Sequence, residues 1–122
     1  MSGTLAGIAD TGSIDMSGRI RVASKEDRTM DGIVFHSKRE MLRYADLKLL
    51  VRCGTILDLE LQPAFPLIIN GVKVCTYIAD FRYKDLSGRT VIEDVKGWKT
   101  ESYVFKSNLF HALNPDLRIL ET

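Results

Sequence analysis

The sequence predicts a mixed α/β protein, an α+β fold in which helices pack on a mixed sheet. A helical pattern begins near Ser37, with apolar residues spaced three and four apart. Residues 56–98 are rich in β-branched and aromatic residues and are divided by turn-forming sequences. A second helical pattern follows Thr100. The predicted order of helix, three strands, helix and strand is typical of a sheet that carries helices on its faces.

Composition places the chain among ordinary globular proteins. Its 122 residues are 45% hydrophobic and 27% charged, which suits one folded domain with a buried core. No apolar run approaches the roughly 20 residues that a membrane span needs, and no basic-then-apolar secretory pattern opens the sequence. We therefore expect no membrane partner and a cytoplasmic location. Cys53 and Cys75 lack metal-binding spacing, lie in apolar surroundings and are predicted to be buried, reduced thiols.

The net charge of +1 does not identify a nucleic-acid-binding protein. Basic residues do gather locally, over residues 19–28 and in the helix that begins near Ser37. Acidic metal ligands would cancel such residues in the sum without cancelling them in space. The charge balance therefore leaves a DNA-binding function open.

The first 30 residues differ in character from the remainder. Residues 1–30 are rich in Gly, Ser, Thr and Asp without lasting periodicity, which predicts a flexible arm with a short strand at Arg19–Val22. Asp31-Gly32 is a turn sequence, and a short strand follows it. The predicted folded domain is thus residues 31–122.

The first helix has clear start and stop residues. Ser37 is a favourable N-cap and Glu40 stands three residues later, the spacing of a capping box. Gly54 is placed to end the helix. The apolar face comprises Met41, Leu42, Ala45, Leu49 and Leu50.

The strands follow this helix. Pro63 and Pro66 interrupt residues 56–69, which predicts an irregular or edge strand. Asn70-Gly71 is typical of a two-residue hairpin turn. The elements predicted next are a strand over 72–83, a turn over 85–88, a strand over 89–98, a helix from Thr100 to about Leu113 and a final strand over 117–120.

The register of the second hairpin decides which acidic residues face each other. A three-residue loop over 86–88 would put Gly88 at the left-handed position and Asp80 opposite Asp94. A two-residue loop would bring Glu93 opposite Asp80 instead. The position of Gly88 favours the three-residue loop.

Two facing carboxylates have two interpretations. They repel when both are ionised, and a hard cation such as Mg²⁺ or Mn²⁺ would compensate them and could assist phosphodiester hydrolysis. Lys96, two residues beyond Asp94 on the same face, could then orient or deprotonate water or stabilise negative charge. On spacing alone, the favoured interpretation is a solvated sheet face on which Asp80 and Asp94 pair with Arg82 and Lys96.

Four short motifs occur in a fixed order along the chain. They are Phe35–Glu40 (FHSKRE), Leu59–Pro63 (LELQP), Tyr77–Tyr83 (YIADFRY), and Glu93–Gly97 (EDVKG) with Thr100. Together they resemble a family of short phage and prophage proteins, formerly catalogued as a domain of unknown function and placed among the PD-(D/E)XK endonucleases. The similarity covers about residues 30–122. It implies a restriction-endonuclease-like core of order αβββαβ, which agrees with the order of the elements predicted above.

The resemblance also implies roles for single residues. Asp80 and Asp94 match the two strand carboxylates and Lys96 matches the lysine of the superfamily motif, while Glu40 matches a helix glutamate that joins the metal site. Glu40 is equally well explained by its capping box. If the strand bulges, Glu93 would replace Asp94. Accessory or DNA-contacting candidates are Gln62, Lys106, Lys38 and Glu93, while plain interpretations make Gln62 a loop amide, Lys106 a surface charge and Trp98 a core aromatic.

The expected function is therefore a metal-dependent DNA endonuclease (phosphodiester hydrolase) that uses Mg²⁺ or Mn²⁺. Its DNA substrate would be duplex or branched, such as a Holliday junction in phage recombination or replication. Branched substrates favour a symmetric homodimer. If the protein is phage-encoded, the host cytoplasm is the expected location. The alternative is a noncatalytic DNA-binding or regulatory module that keeps the nuclease fold.

Overall fold

A computed structural model of the chain describes residues 13–14, 20–21 and 23–122. The described residues form a mixed α+β fold, as predicted, although five strands lie between the two α-helices where three were predicted. The chain divides into two compact units, Met1–Leu49 and Leu50–Thr122. None of the helices within the described ranges has the length and apolar character needed to cross a membrane.

The first unit contains short strands and most of the first helix. Its elements are β1 (Ser13–Ile14), β2 (Ile20–Arg21), a 3₁₀ turn (Glu26–Arg28), β3 (Thr29–Met30), β4 (Ile33–Val34) and α1 (Lys38–Arg52). The strand predicted at Arg19–Val22 is confirmed in its middle by β2, which pairs with β1. The predicted flexibility of residues 1–30 falls largely outside the described residues.

The turn between β3 and β4 agrees with the sequence. Asp31 and Gly32 have φ angles of 54° and 76°, and Met30 pairs with Ile33 across them. Two successive left-handed residues are what a tight hairpin turn requires, and Asp-Gly is among the sequences that adopt it. The predicted turn is confirmed.

The caps of α1 are also confirmed. The Ser37 hydroxyl oxygen accepts the Glu40 N–H at 3.0 Å, as an N-cap should. The Glu40 carboxylate accepts the N–H of His36 at 3.1 Å, one residue before the position expected for a capping box. Gly54, at φ 74°, follows the helix in the left-handed conformation that ends helices.

The second unit is a β-rich segment with one helix. Its elements are β5 (Leu57–Leu61), β6 (Ala64–Ile69), β7 (Val72–Ile78), β8 (Phe81–Lys84), β9 (Thr90–Asp94), α2 (Glu101–Leu113) and β10 (Ile119–Glu121). Four strands form one sheet in the order β10–β9–β8–β5, with β10 parallel to β9, while β6 and β7 form a separate hairpin. The Asn70-Gly71 turn predicted between β6 and β7 is confirmed.

The prediction of one continuous strand over 72–83 is wrong, because the strand is interrupted between the end of β7 and the start of β8. At the break the Asp80 N–H donates to the side chain of Asp94 instead of to a neighbouring strand. Pro63, in the neighbouring segment between β5 and β6, has no N–H to donate, although its carbonyl accepts the Ala79 N–H at 3.1 Å. Gln62 beside it has φ 50°. The segment predicted as one strand is therefore divided between the β6–β7 hairpin and the four-stranded sheet, which contains β8.

The hairpin of β8 and β9 has the predicted three-residue loop. Lys84 pairs with Thr90 and Phe81 pairs with Glu93. Gly88 has φ 84°, the left-handed conformation expected of the last loop residue. The alternative of a two-residue loop is wrong. Continued one residue further, this register brings Asp80 opposite Asp94.

A buried cluster joins the sheet, the hairpin and the second helix. The helix α2 packs on β6 and β7, and Thr100 caps it by accepting the Tyr103 N–H at 3.1 Å. The plain interpretation of Trp98 as a core aromatic is wrong, because its side chain is 80% exposed. The prediction of buried cysteines is also wrong, because Cys53 is exposed and Cys75 is only partly buried. The cluster consists of Leu67, Tyr77, Ala79, Ile92, Tyr103 and Phe110.

Candidate active site

Two aspartates interlock where β9 ends beside the break between β7 and β8. The Asp80 N–H donates to Oδ1 of Asp94 at 3.0 Å. In return, the Val95 N–H donates to Oδ2 of Asp80 at 2.7 Å. Each carboxylate is thus held by backbone next to the other, so the pair has a fixed position at one end of the sheet.

Tyr77 is a site residue that the sequence analysis missed. Its hydroxyl donates to Oδ2 of Asp94, and its side chain is 2% exposed. Strict strand alternation would place Tyr77 and Asp80 on opposite faces, but the break between β7 and β8 lets both reach Asp94. Burial and the hydrogen bond to Asp94 raise the pKa of Tyr77 strongly, so its hydroxyl remains a donor.

Asp94 is fully buried, and this sets its protonation. Burial raises the pKa of the Asp94 carboxyl to about 6, because the charged form loses hydration. The hydrogen bond from Tyr77 opposes this rise, whereas the negative charge of Asp80 adds to it. Positive charge placed beside the pair would favour the ionised form.

The raised pKa of Asp94 predicts how stability depends on pH in the absence of divalent cations. The folded protein holds the Asp94 proton to about pH 6, whereas the unfolded chain releases it near its ordinary pKa of about 3.9. The free energy of unfolding should therefore fall as pH rises between these values, by about 3 kcal/mol. Urea unfolding in EDTA from pH 4 to 7 would measure this, with Asp94→Asn as the variant that cannot titrate. A stability difference between the two proteins that stays constant over this range would contradict the prediction.

Lys96 stands beside the aspartates. Its ammonium nitrogen lies 3.9 Å from Oδ1 of Asp94 and 4.2 Å from the centre of the Tyr103 ring, and its side chain is 23% exposed. Two backbone hydrogen bonds to Thr122 hold the segment from Asp94 to Lys96. The Lys96 N–H donates to the Thr122 carbonyl at 3.1 Å, and the Thr122 N–H donates to the Asp94 carbonyl at 2.9 Å. The ammonium therefore lies next to the Asp94 carboxylate and also reaches solvent.

The Tyr103 ring under Lys96 is itself anchored. The Tyr103 hydroxyl donates to Oε2 of Glu121 at 2.7 Å, and the ammonium of Lys99 lies 2.7 Å from Oε1 of the same carboxylate. Lys99 and Tyr103 together lower the pKa of Glu121, so this carboxylate is ionised. The chain Lys99–Glu121–Tyr103 fixes the aromatic surface on which Lys96 rests.

Glu93 does not share the face of Asp94. Successive strand residues point to opposite faces, and β8 pairs with β9 without a bulge. The Glu93 carboxylate accepts hydrogen bonds from the hydroxyls of Tyr83 at 2.7 Å and Thr122 at 3.1 Å. The bulge that would have brought Glu93 to Asp80 is absent from this pair of strands.

The remaining predicted residues have mixed placements. Gln62 lies beside the site, since its N–H donates to the Asp80 carbonyl at 2.9 Å. Lys106 is in α2, three residues beyond Tyr103. Glu40 and Lys38 belong to the first unit, where Glu40 is buried at the start of α1. Their predicted roles at the carboxylate pair stay predictions.

The described part of the chain contains no group of three His, Cys, Asp or Glu side chains arranged to hold a metal ion. The carboxylates that the structure brings together are Asp80 and Asp94. Mg²⁺ is often bound through one or two carboxylates, with water and substrate oxygens as the other ligands. The pair is therefore sufficient in number for that kind of site.

Fold and site define an α+β protein with a carboxylate pair and a lysine at one end of its sheet. The family model described as Protein of unknown function (DUF1064) matches residues 23–121. The chain belongs to this family. Searches of curated proteins and of solved structures return no match.

Proposed function

We propose that the protein is a metal-dependent DNA endonuclease that hydrolyses phosphodiester bonds. The observation that carries this proposal is the interlocked pair of Asp80 and Asp94, with the Lys96 ammonium 3.9 Å from Oδ1 of Asp94. Such hydrolysis needs carboxylates that can bind a metal ion and a positively charged side chain that can reach the substrate, and the partly exposed Lys96 can supply that charge.

The donor set fits a hard divalent cation. Asp80 and Asp94 would hold Mg²⁺ or Mn²⁺, which prefer carboxylate and water oxygens. Burial and the charge of Asp80 disfavour the ionised form of Asp94, and the positive charge of a bound cation would offset both effects. When bound, the ion would polarise a phosphoryl oxygen and make water more acidic. The prediction that Glu40 completes the ligand set remains part of the proposal.

Lys96 supplies the positive charge of the protein itself. Its ammonium would donate to a non-bridging phosphate oxygen and offset the charge that develops as water attacks. The Tyr103 ring and the backbone bonds to Thr122 keep Lys96 in place, so little ordering would be needed when DNA binds. The Tyr77 hydroxyl would hold Asp94 in one rotamer.

Further parts of the proposal concern the substrate and the assembly. The substrate is DNA, duplex or branched, and the active form is a homodimer, because branched DNA presents two equivalent strands to a two-fold symmetric protein. The resemblance of the four sequence motifs to phage and prophage proteins supports a role in phage recombination or replication in the host cytoplasm.

One cleavage experiment tests the proposal. The protein would be incubated with a labelled four-way junction, a fork, a duplex and a single strand, in Mg²⁺, Mn²⁺ or EDTA. We expect metal-dependent cleavage that falls by about 10² or more in Lys96→Ala, because a charge that stabilises the transition state is lost. Lys73→Ala is the matched control, since Lys73 is exposed on the β6–β7 hairpin.

The possible outcomes separate the hypotheses. Cleavage by Lys96→Ala at the wild-type rate would overturn the site assignment. DNA binding without cleavage in either metal would favour the noncatalytic module. Loss of cleavage in Lys73→Ala as well would indicate that surface charge, not the position of Lys96, is responsible.

A further inference from the structure

We propose that Trp98 is a stacking platform for an unpaired base next to the scissile phosphate, so that the substrate is DNA with unstacked bases, not continuous duplex. This inference rests on the proposed function, because it places DNA at Lys96. It goes further by naming the feature of DNA that the protein selects.

The position of Trp98 is unusual for its chemistry. The side chain is 80% exposed, although tryptophan is the largest aromatic residue and is highly buried on average. It follows Lys96 by two residues, a distance of at most about 7 Å along the chain. A strand of duplex DNA rises about 3.4 Å per nucleotide and an unstacked strand extends further, so a base within one or two nucleotides of a phosphate at Lys96 can reach Trp98.

The segment around Trp98 is fixed at both ends. On one side, Lys96 is bonded to Thr122 at 3.1 Å. On the other side, Thr100 caps α2 through the Tyr103 N–H at 3.1 Å. The backbone that carries Trp98 therefore needs little ordering when a ligand stacks on the ring.

In this proposal Lys96 binds the phosphate, whereas base stacking on Trp98 supplies the selectivity. Lys99 is paired with Glu121 at 2.7 Å, so it adds little net positive charge beside the ring. An indole face can stack on any base, whatever its sequence. In a continuous duplex both faces of each base are already covered by neighbouring bases. A ring at this position therefore selects bases freed at a fork, a junction or a single strand.

Trp98 is the one tryptophan of the chain, so intrinsic fluorescence reports on it alone. The protein would be titrated in EDTA, which prevents metal-dependent cleavage, with a single strand, a fork, a blunt duplex and an abasic strand of equal length. We expect quenching by the single strand and the fork, and little by the duplex or by the abasic strand, which keeps the phosphates and lacks the bases. Equal quenching by the abasic strand or by the duplex would overturn the inference.

Binding of fluorescently labelled DNA, measured by anisotropy in the same buffer, supplies the second readout. Trp98→Ala should weaken binding of the single strand and fork roughly tenfold or more, with duplex binding unchanged, and Trp98→Phe should restore part of the loss. The matched control is Leu86→Ala, because Leu86 is 73% exposed in the turn at the other end of β9. A Trp98→Ala protein that binds all DNAs like wild type would overturn the inference.

These readouts separate the inference from the proposed function. Both are measured without cleavage, so base-selective quenching would stand even if no nuclease activity were found. Conversely, cleavage that needs Lys96 but proceeds equally on continuous duplex, with no quenching, would leave the nuclease and remove the role of Trp98.

Discussion

Asp80→Asn is expected to reduce metal-dependent cleavage by about 10²–10³-fold while the fold is retained. An amide in this position can still accept the Val95 N–H, the contact that holds Asp80 at 2.7 Å. It cannot supply the negative charge that a divalent cation needs. Removing that charge should also lower the pKa of Asp94, because Asp80 contributes to its rise. Cleavage rates would measure the loss of activity, and calorimetric titration with Mn²⁺ would measure the loss of metal affinity.

The control for this variant is Asp116→Asn, which removes one negative charge from an exposed turn. We expect its Mn²⁺ affinity and cleavage rate to match those of the wild type. Circular dichroism should show the same secondary structure in all three proteins. Undiminished Mn²⁺ binding by Asp80→Asn would show that the carboxylate pair is not the metal site.

Phe110→Ala is expected to cost about 3–5 kcal/mol of the free energy of unfolding. Phe110 is fully buried, and its ring centroid lies 5.1 Å from that of Phe65 and 5.3 Å from that of Tyr77. Truncation would leave a cavity between α2 and the β6–β7 hairpin. Since Tyr77 also donates to Asp94, the variant should disturb the site as well as the core.

Urea unfolding followed by circular dichroism would measure this loss. Tryptophan fluorescence suits the purpose less well, because the exposed Trp98 would change its surroundings little on unfolding. Val104→Ala is the control, since Val104 lies on the same helix and is 42% exposed. A loss below about 1 kcal/mol in Phe110→Ala would show that the cluster is not the main core of this unit.

Much of the site was predictable because local backbone rules fix it. Gly88 identified the three-residue loop, and counting back from the loop brought Asp80 opposite Asp94. The N-caps Ser37 and Thr100 followed from the preference of hydroxyl side chains for helix starts. In each case one residue type is strongly favoured at one backbone position.

Other features depend on contacts between distant segments and could not be predicted. The break between β7 and β8 exists because the Asp80 N–H bonds to a side chain in β9, which no local pattern reveals. The contact of Tyr77 with Asp94 depends on that break. The exposure of Trp98 contradicts the preference of tryptophan for buried positions, and no local pattern reveals it.

The parallel pairing of β10 with β9 has a consequence for the order of folding. The hydroxyl of Thr122 reaches Glu93, 29 residues earlier in the chain, and its backbone closes around Asp94 and Lys96. Parallel strands need a crossover, here provided by α2, and contacts so distant in sequence form slowly. The hairpins of this unit, whose contacts are local, are expected to form before that closure. The carboxylate pair would then reach its final geometry late, so a partly folded chain would carry the residues of the site without a formed site.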